Sequence, residues 1–119
     1  MKIAITAQGQ DLNAPLDPRF GRTGGFIIYN TDSGEFSYMD NQQNLAATQG
    51  AGIQTAQNVA DTGAQAVLTG HVGPKAYTAL QRGGIDIYLL QSGTVQEAIT
   101  AFENGELTAA AGADKPGHW

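Results

Sequence analysis

The segment Leu68-Thr69-Gly70-His71-Val72-Gly73-Pro74-Lys75-Ala76 decides the fold of this chain, because it places a strand end, a tight turn and a helix start in succession. The apolar run over residues 66–68 predicts a buried strand that ends at the first glycine. Pro74 predicts the first turn of a helix, where a missing N–H costs no intrahelical hydrogen bond. A strand that leads directly into a helix is typical of an α/β protein with parallel strands.

The same turn has the chemistry of an anion site. Backbone N–H groups of Gly70 and Gly73 and of the following helix start point into one small space, and the helix dipole adds partial positive charge there. His71 and Lys75 bring an imidazole and a cation. The alternative is an ordinary strand-to-helix turn whose glycines serve only its tight geometry, and this segment alone leaves both interpretations open.

Composition limits the class of protein. The 119 residues contain no cysteine, which excludes disulfides, thiolate metal sites and a cysteine nucleophile. A net charge of −5 with only six Lys and Arg residues argues against a nucleic-acid-binding protein, although six suffice for one small cationic pocket. The chain has neither an apolar run of roughly 20 residues nor a signal-peptide pattern. We therefore expect a soluble, cytoplasmic protein without a membrane segment. Because no long apolar stripe is left over after core assignment, we expect it to be a monomer.

Outward from the central segment, the pattern predicts five strands and three helices in the order β, β, β, α, β, α, β, α. The strands are predicted at 2–7, 26–30, 35–40, 66–68 and 85–90, the last of them buried on both faces. Ile53, Ala56, Val59 and Ala60 recur at helical spacing after Gly50. A folded domain over residues 1–108 and a flexible tail over 109–119 complete the prediction.

The connections predict a mixed five-stranded sheet in the spatial order 3-2-1-4-5. The four-residue turn 31–34 makes strands two and three an antiparallel hairpin, and the later strand–helix–strand units require parallel pairing through right-handed crossovers. Helices then cover the faces of an α/β fold. Ligands on such sheets bind outside the carboxyl ends of the parallel strands, which here follow Ala7, Thr69 and Leu90.

Arg19 and Arg22 are the strongest polar candidates for that edge. A guanidinium is always charged and offers a planar set of donors to oxyanions and sulfidic anions. The alternative is a solvated arginine paired with Asp11 or Asp17. Gly50 and Gly52, at the start of the first helix, either add N–H donors or serve only as spacers.

Several chemistries are excluded. No glycine-rich loop ends in the Gly-Lys-Ser or Gly-Lys-Thr of a nucleotide site. The strand order resembles that of ribonuclease H, but residues 2–8 hold no carboxylate for a two-metal nuclease. Two histidines without cysteine are too few for a closed zinc site. No serine stands in a recognisable triad context.

Read together, five segments resemble the dinitrogenase iron–molybdenum cofactor biosynthesis domain family, and within it the orange-protein branch of sulfate-reducing bacteria. The resemblance runs from Met1 to about Leu107, and its motifs are residues 17–22 (Asp-Pro-Arg-Phe-Gly-Arg), 50–52, 69–76, 84–85 and 94–98. It implies a ribonuclease H-like fold and a protein that binds, carries or stores a metal–sulfur cluster and is not an enzyme. In the orange-protein branch that cluster is a molybdenum–copper sulfide held without covalent attachment.

The resemblance also implies which residues contact the cluster. Cations and donors would come from Arg19, Arg22, His71 and Lys75. Backbone N–H groups at 50–52 (Gly50 and Gly52) and 70–73 (Gly70 and Gly73) would add donors, with Phe20 and Val72 as the apolar wall. No residue is expected to ligate a metal directly, because many relatives carry Asn-Cys where His71-Val72 stand, and the missing cysteine favours non-covalent binding.

Other functions remain open at this point. The cargo is expected to be a molybdenum–copper sulfide cluster, and the alternative is an iron–molybdenum–sulfur cluster. A protein partner is expected to take part in delivery of the cluster. The chain is otherwise a cluster-free regulatory or interaction module that docks on a partner protein. A small-anion or phosphate-handling enzyme is a third hypothesis, which the lack of a nucleophile and base at recognisable spacing disfavours.

Overall fold

The computed structural model describes residues 1–41 and 51–112. In that part of the chain, five strands and three helices follow one another in the predicted order. The strands are β1 (Lys2–Ala7), β2 (Gly25–Asn30), β3 (Phe36–Asp40), β4 (Ala66–Thr69) and β5 (Asp86–Leu89). The helices are α1 (Ala51–Asp61), α2 (Pro74–Arg82) and α3 (Val95–Glu103).

The sheet has the spatial order β3-β2-β1-β4-β5, which confirms the predicted α/β topology. β2 pairs antiparallel with both β1 and β3, while β4 pairs parallel with β1 and with β5. β1 and β4 are central and almost entirely buried. Their carboxyl ends therefore open at the same edge of the sheet.

Each face of the sheet buries its own apolar cluster. Helices α1 and α2 pack on one face, where Val59 and Leu80 meet Ala4 and Val67. Helix α3 packs on the other, where Ile99 meets Ile3 and Ile5. The alternation along β1 thus supplies both cores from one strand. Helix α3 begins with a capping box, in which the Thr94 hydroxyl oxygen accepts from the Glu97 N–H and the Glu97 carboxylate accepts from the Thr94 N–H.

Two details of the predicted burial are wrong. Ile53 belongs to the predicted apolar stripe of the first helix, yet it is 47% exposed. The buried face of α1 is instead set by Ala51, Thr55, Ala56 and Val59. β5 is covered only in part, with Asp86 exposed, because it lies near the edge of the sheet.

The predicted tail begins at residue 109, where the chain still contacts the sheet. Ala109 forms an antiparallel bridge with Tyr88, and the Ala110 N–H donates to the Ile87 carbonyl oxygen at 2.7 Å. Residues 113–119 of that tail lie outside the described residues. None of the helices in the described ranges is long and apolar enough to cross a membrane.

Candidate functional site

The loop that carries Arg19 lies directly beside the turn after β4. Arg19 and His71 form a parallel bridge, and the Phe20 N–H donates to the His71 carbonyl oxygen at 3.2 Å. Arg19 is exposed and His71 half-buried, so both reach the surface at the carboxyl ends of β1 and β4. Two segments some fifty residues apart in sequence are therefore neighbours at this edge.

Gly70 permits this close approach. A Cβ atom at Gly70 would lie 2.7 Å from both the Cα and the carbonyl oxygen of Pro18. The atoms it would meet belong to backbone, which cannot move aside as the end of a flexible side chain can. Glycine is required here because two backbones touch, not because of a positive φ.

We expect Gly70→Ala to destabilise the fold by about 1–3 kcal/mol and to displace the Arg19 loop, because the new methyl group overpacks against Pro18. Urea denaturation followed by circular dichroism measures the loss. The matched control is Gly112→Ala, since a Cβ at Gly112 meets nothing within 4 Å. Equal stability of the two variants would contradict the contact.

Two threonine hydroxyls fix the same loop from below. The Thr6 hydroxyl donates to the Asp17 carbonyl oxygen at 2.7 Å and shares a 2.9 Å hydrogen bond with the Thr69 hydroxyl. The Asp17 N–H donates to the Thr6 carbonyl oxygen at 2.9 Å. Both threonines are fully buried at the ends of the two central strands. Strand positions 6 and 69 thus determine where residue 17 begins the turn.

The Asp17 carboxylate acts within the loop. Its Oδ1 accepts from the Arg19 N–H at 3.0 Å, a local turn typical of aspartate. The guanidinium of Arg19 forms no ion pair with Asp11 or Asp17 in the described part of the chain, and neither does the Lys75 ammonium. The predicted alternative, an arginine paired with one of these two aspartates, therefore does not describe Arg19.

Phe20 and Val72 lie beneath the site and are fully buried. The Phe20 ring packs edge to face on Phe26, with ring centroids 5.6 Å apart and planes at 64°. Neither Phe20 nor Val72 presents surface to a ligand in this structure. Their position supports the loop and the turn from the core, while their neighbours, the exposed Arg19 and the half-buried His71, reach the surface.

Two helix starts meet at this edge. A Cβ atom at Gly52 would lie 3.1 Å from the Cβ of Ala76, so the first turns of α1 and α2 are in contact. The N-cap of α2 is Gly73, which provides no side-chain hydrogen bond to the first turn. The N–H groups of that turn point toward the edge with their partial positive charge. Gly50 lies outside the described residues.

Positive charge is concentrated at the same end of the sheet. Arg22 precedes β2, whose first residue, Gly25, pairs with the last residue of β1, Ala7. Arg19, Arg22 and Lys75 are thus three of the five Lys and Arg residues in the described ranges. Within those ranges no group of three or more His, Asp or Glu side chains is arranged to hold a metal ion. The edge suits a bound anion better than a bare cation.

The model of the dinitrogenase iron–molybdenum cofactor family matches residues 1–105. The chain belongs to this family. The structure of the apo form of the orange protein from Desulfovibrio gigas is 43% identical, covers 96% of both chains and superposes with a TM-score of 0.94. A putative NifB protein from Thermotoga is 34% identical over 98% of both chains, with a TM-score of 0.85.

Among curated sequences, an uncharacterised protein of Methanocaldococcus jannaschii is 33% identical over 109 residues, which are 90% of this chain and 89% of that protein. The relatives therefore match this member of the dinitrogenase cofactor family over nearly its whole length. The family resemblance seen in the sequence motifs is confirmed.

Sequence reasoning missed the buried polar residues that shape the edge in this family member. Besides Thr6, Thr69 and Asp17, Asn41 is fully buried at the end of β3. Its Nδ2 donates to the Thr23 carbonyl oxygen at 3.0 Å, and its Oδ1 accepts from the Thr55 hydroxyl at 3.4 Å. The only signal in the sequence was polar residues beside apolar runs, which is also typical of exposed loops.

Proposed function

We propose that this protein binds an anionic metal–sulfur cluster without covalent attachment and stores or delivers it. The proposed cargo is a molybdenum–copper sulfide, with an iron–molybdenum–sulfur cluster as the alternative. The binding surface is the carboxyl edge of β1 and β4, formed by the Arg19 loop, the His71 turn and the starts of α1 and α2. The protein carries its cargo and performs no catalysis on it.

One observation carries the proposal: the Arg19–His71 bridge brings two cation-bearing segments together beside two helix starts. Family membership makes a cluster-related function the natural interpretation of this edge. The family resemblance also implies the ribonuclease H-like classification and the cluster-binding domain over residues 1–108, which we adopt as part of the proposal.

The donor chemistry fits such a cargo. The chain contains no cysteine, so it supplies no thiolate ligand. A thiometallate cluster brings its own sulfide ligands and a net negative charge, and what it needs from a protein is cations and N–H donors. Guanidinium groups at Arg19 and Arg22, the Lys75 ammonium and the first-turn N–H groups of α2 meet that need.

The direct test is reconstitution of the purified protein with tetrathiomolybdate and a copper salt. We expect a charge-transfer absorption band that co-elutes with the protein, together with molybdenum, copper and sulfide in fixed ratio. The reagents without protein, and the reagents with an unrelated protein of similar acidity, are the controls. A parallel sample with iron in place of copper distinguishes the alternative cargo.

If neither mixture gives protein-bound colour or metal, the cargo proposal is rejected. Of the two hypotheses that remain, the cluster-free interaction module would then be favoured over a small-anion enzyme, because no nucleophile and base stand at recognisable spacing. That module would bind its partner equally well before and after removal of the arginines at positions 19 and 22.

A further inference from the structure

Among the residues that the structure describes, the two edges of the sheet differ in how they are covered. The outer side of β5 is covered by Ala109 and Ala110, which bond to Tyr88 and Ile87. In the described ranges, β3 pairs with β2 on one side and with no strand on the other. Edge strands are usually protected by charged side chains, Pro, a bulge or covering chain, and β3 contains no Lys or Pro and a single charged residue, Asp40, at its end.

The hydrogen bonds flanking β3 reveal which backbone groups point outward. The Asn41 N–H donates to Gly24 and the Asn30 N–H donates to Glu35, each at 2.9 Å. Because the direction alternates along a strand, odd-numbered residues of this segment face β2. The N–H and C=O groups of Phe36 and Tyr38 therefore point away from the sheet, where an added strand would bond to them.

The side chains beside this edge suit protein contact. Phe36 is 43% exposed and Tyr38 is half-buried on the same face as its neighbour Tyr29. The Tyr38 hydroxyl donates to the Gly24 carbonyl oxygen at 3.2 Å. Desolvation, with a smaller contribution from Asp40, raises the pKa of Tyr38, so its hydroxyl stays a protonated donor. Exposed aromatic side chains are typical of interaction surfaces.

Charge indicates the kind of partner. Between Arg22 and Lys75 the sequence contains no Lys or Arg. The hairpin of β2 and β3 carries exposed carboxylates at Asp32, Glu35 and Asp40. Asp32 is already paired with the N-terminal ammonium at 2.9 Å. The exposed carboxylate of Glu35, directly before β3, complements a positively charged segment.

A cavity of about 260 Å³ adjoins the Glu35 end of the edge. Ile28, Ser37 and Glu35 line it on the face of the sheet that also carries α1 and α2. Lys2 is also part of its lining, and its ammonium donates to the Thr62 carbonyl oxygen at 3.4 Å. Side chains of an added strand alternate between the faces, so those on this face would lie on the side of the sheet that carries the cavity.

We propose that the outer edge of β3, with which no strand of the described ranges pairs, is a docking site for an extended, basic segment of a partner protein, which adds to the sheet as a sixth strand. Main-chain hydrogen bonds to Phe36 and Tyr38 supply the pairing, Lys or Arg side chains on one face of the segment meet Glu35, and its apolar side chains lie on the face of Phe36 and Tyr38. The edge is separated from β1 by the whole of β2. Docking there leaves the Arg19 loop accessible, and the proposal does not depend on which anion that loop binds.

The probe is a synthetic eight-residue peptide of alternating lysine and valine, acetylated and amidated at its ends. We expect it to slow amide hydrogen exchange at Phe36 and Tyr38 and to shift the NMR signals of β3. The control peptide has the same sequence with N-methyl groups along one hydrogen-bonding edge, which removes strand pairing but keeps the charge. We expect the control to leave exchange at β3 unchanged.

A pair of variants tests the charge contribution. Glu35→Lys should weaken peptide binding about fivefold at low salt, while Glu103→Lys, an equal charge change at the end of α3, should leave it unchanged. Equal binding of both peptides, or no change at β3, overturns the proposal. Slow amide exchange at Phe36 and Tyr38 in the absence of peptide also overturns the proposal, because the edge is then already covered. If sedimentation shows a monomer, the chain itself covers the edge, and if it shows a dimer, a second copy does.

Discussion

Replacing Arg19 and Arg22 together with alanine is expected to weaken binding of the molybdenum–copper sulfide cluster by about 100-fold or more. Hydrogen bonds to a charged donor contribute about 1.5–3 kcal/mol each when shielded from water, and the variant removes two such donors. Titration of the apo-protein with preformed cluster, followed by charge-transfer absorption, measures the affinity.

The matched control removes the same charge elsewhere. Lys2 lies at the opposite end of β1 and Arg82 at the end of α2, so Lys2→Ala with Arg82→Ala gives the same net charge as the test variant. We expect the control to bind within about threefold of the unchanged protein, the effect of long-range charge alone. If both double variants lose affinity equally, the Arg19 loop is not the binding surface.

Phe20→Ala is expected to lower the free energy of unfolding by about 3–5 kcal/mol, because it leaves a cavity beside Phe26 and under the loop. This is a large share of the 5–15 kcal/mol stability of a typical domain. Urea denaturation gives the value by linear extrapolation. The loop should also lose its fixed position, so cluster affinity should fall while Arg19 is still present.

Phe36→Ala is the control for that experiment, since it removes the same ring from a site that is 43% exposed. We expect it to cost about 1 kcal/mol or less. A loss at Phe20 no larger than that at Phe36 would mean that the buried ring does not hold the loop in place. Denaturation should be measured on the apo forms, so that ligand binding does not add to stability.

The strand order was predictable because the apolar residues follow strand spacing before Gly50 and alternate between helix and strand spacing after it. A hairpin with a four-residue turn and two strand–helix–strand units allow few strand orders. The apolar strand predicted at 2–7 fits best between the hairpin and the two parallel strands. The starts of two helices were also predictable. Proline is favoured in the first helical turn, as at Pro74, and the Thr94–Glu97 pair can cap a helix start.

Burial was less predictable where a polar side chain is satisfied inside the protein. Thr55 faces the core because its hydroxyl donates to Asn41, and this turns Ile53 outward on the same helix. A pattern of apolar residues counts Thr55 as polar and Ile53 as core. The partner that reverses the assignment, Asn41, lies fourteen residues away at the end of β3, where the spacing of apolar residues gives no sign of it.

The candidate edge was predictable as a location but not in its construction. The carboxyl ends of the parallel strands lie at one edge of the sheet, so residues 8–11, 70–74 and 91–94 are expected there. The Arg19 loop follows β1 in the sequence and can fold over the same edge. The inward orientation of Phe20 and Val72 could not be predicted. Phe20 lies in the loop 17–22 and Val72 in the turn 70–73, where side chains do not alternate between inside and outside with a fixed period. The roles of Thr6 and Thr69 depend on the pairing between β1 and β4 through the register of Ile5 with Leu68.

The uneven placement of basic residues makes the molecule an oriented electric dipole despite its total charge of −5. In the described ranges, three of the five Lys and Arg residues, Arg19, Arg22 and Lys75, lie at one end of the sheet, so an approaching anion is attracted toward that end. Such a field turns the protein during the encounter and raises the fraction of collisions that arrive at the correct end. Capture should therefore depend on ionic strength through orientation as well as through affinity.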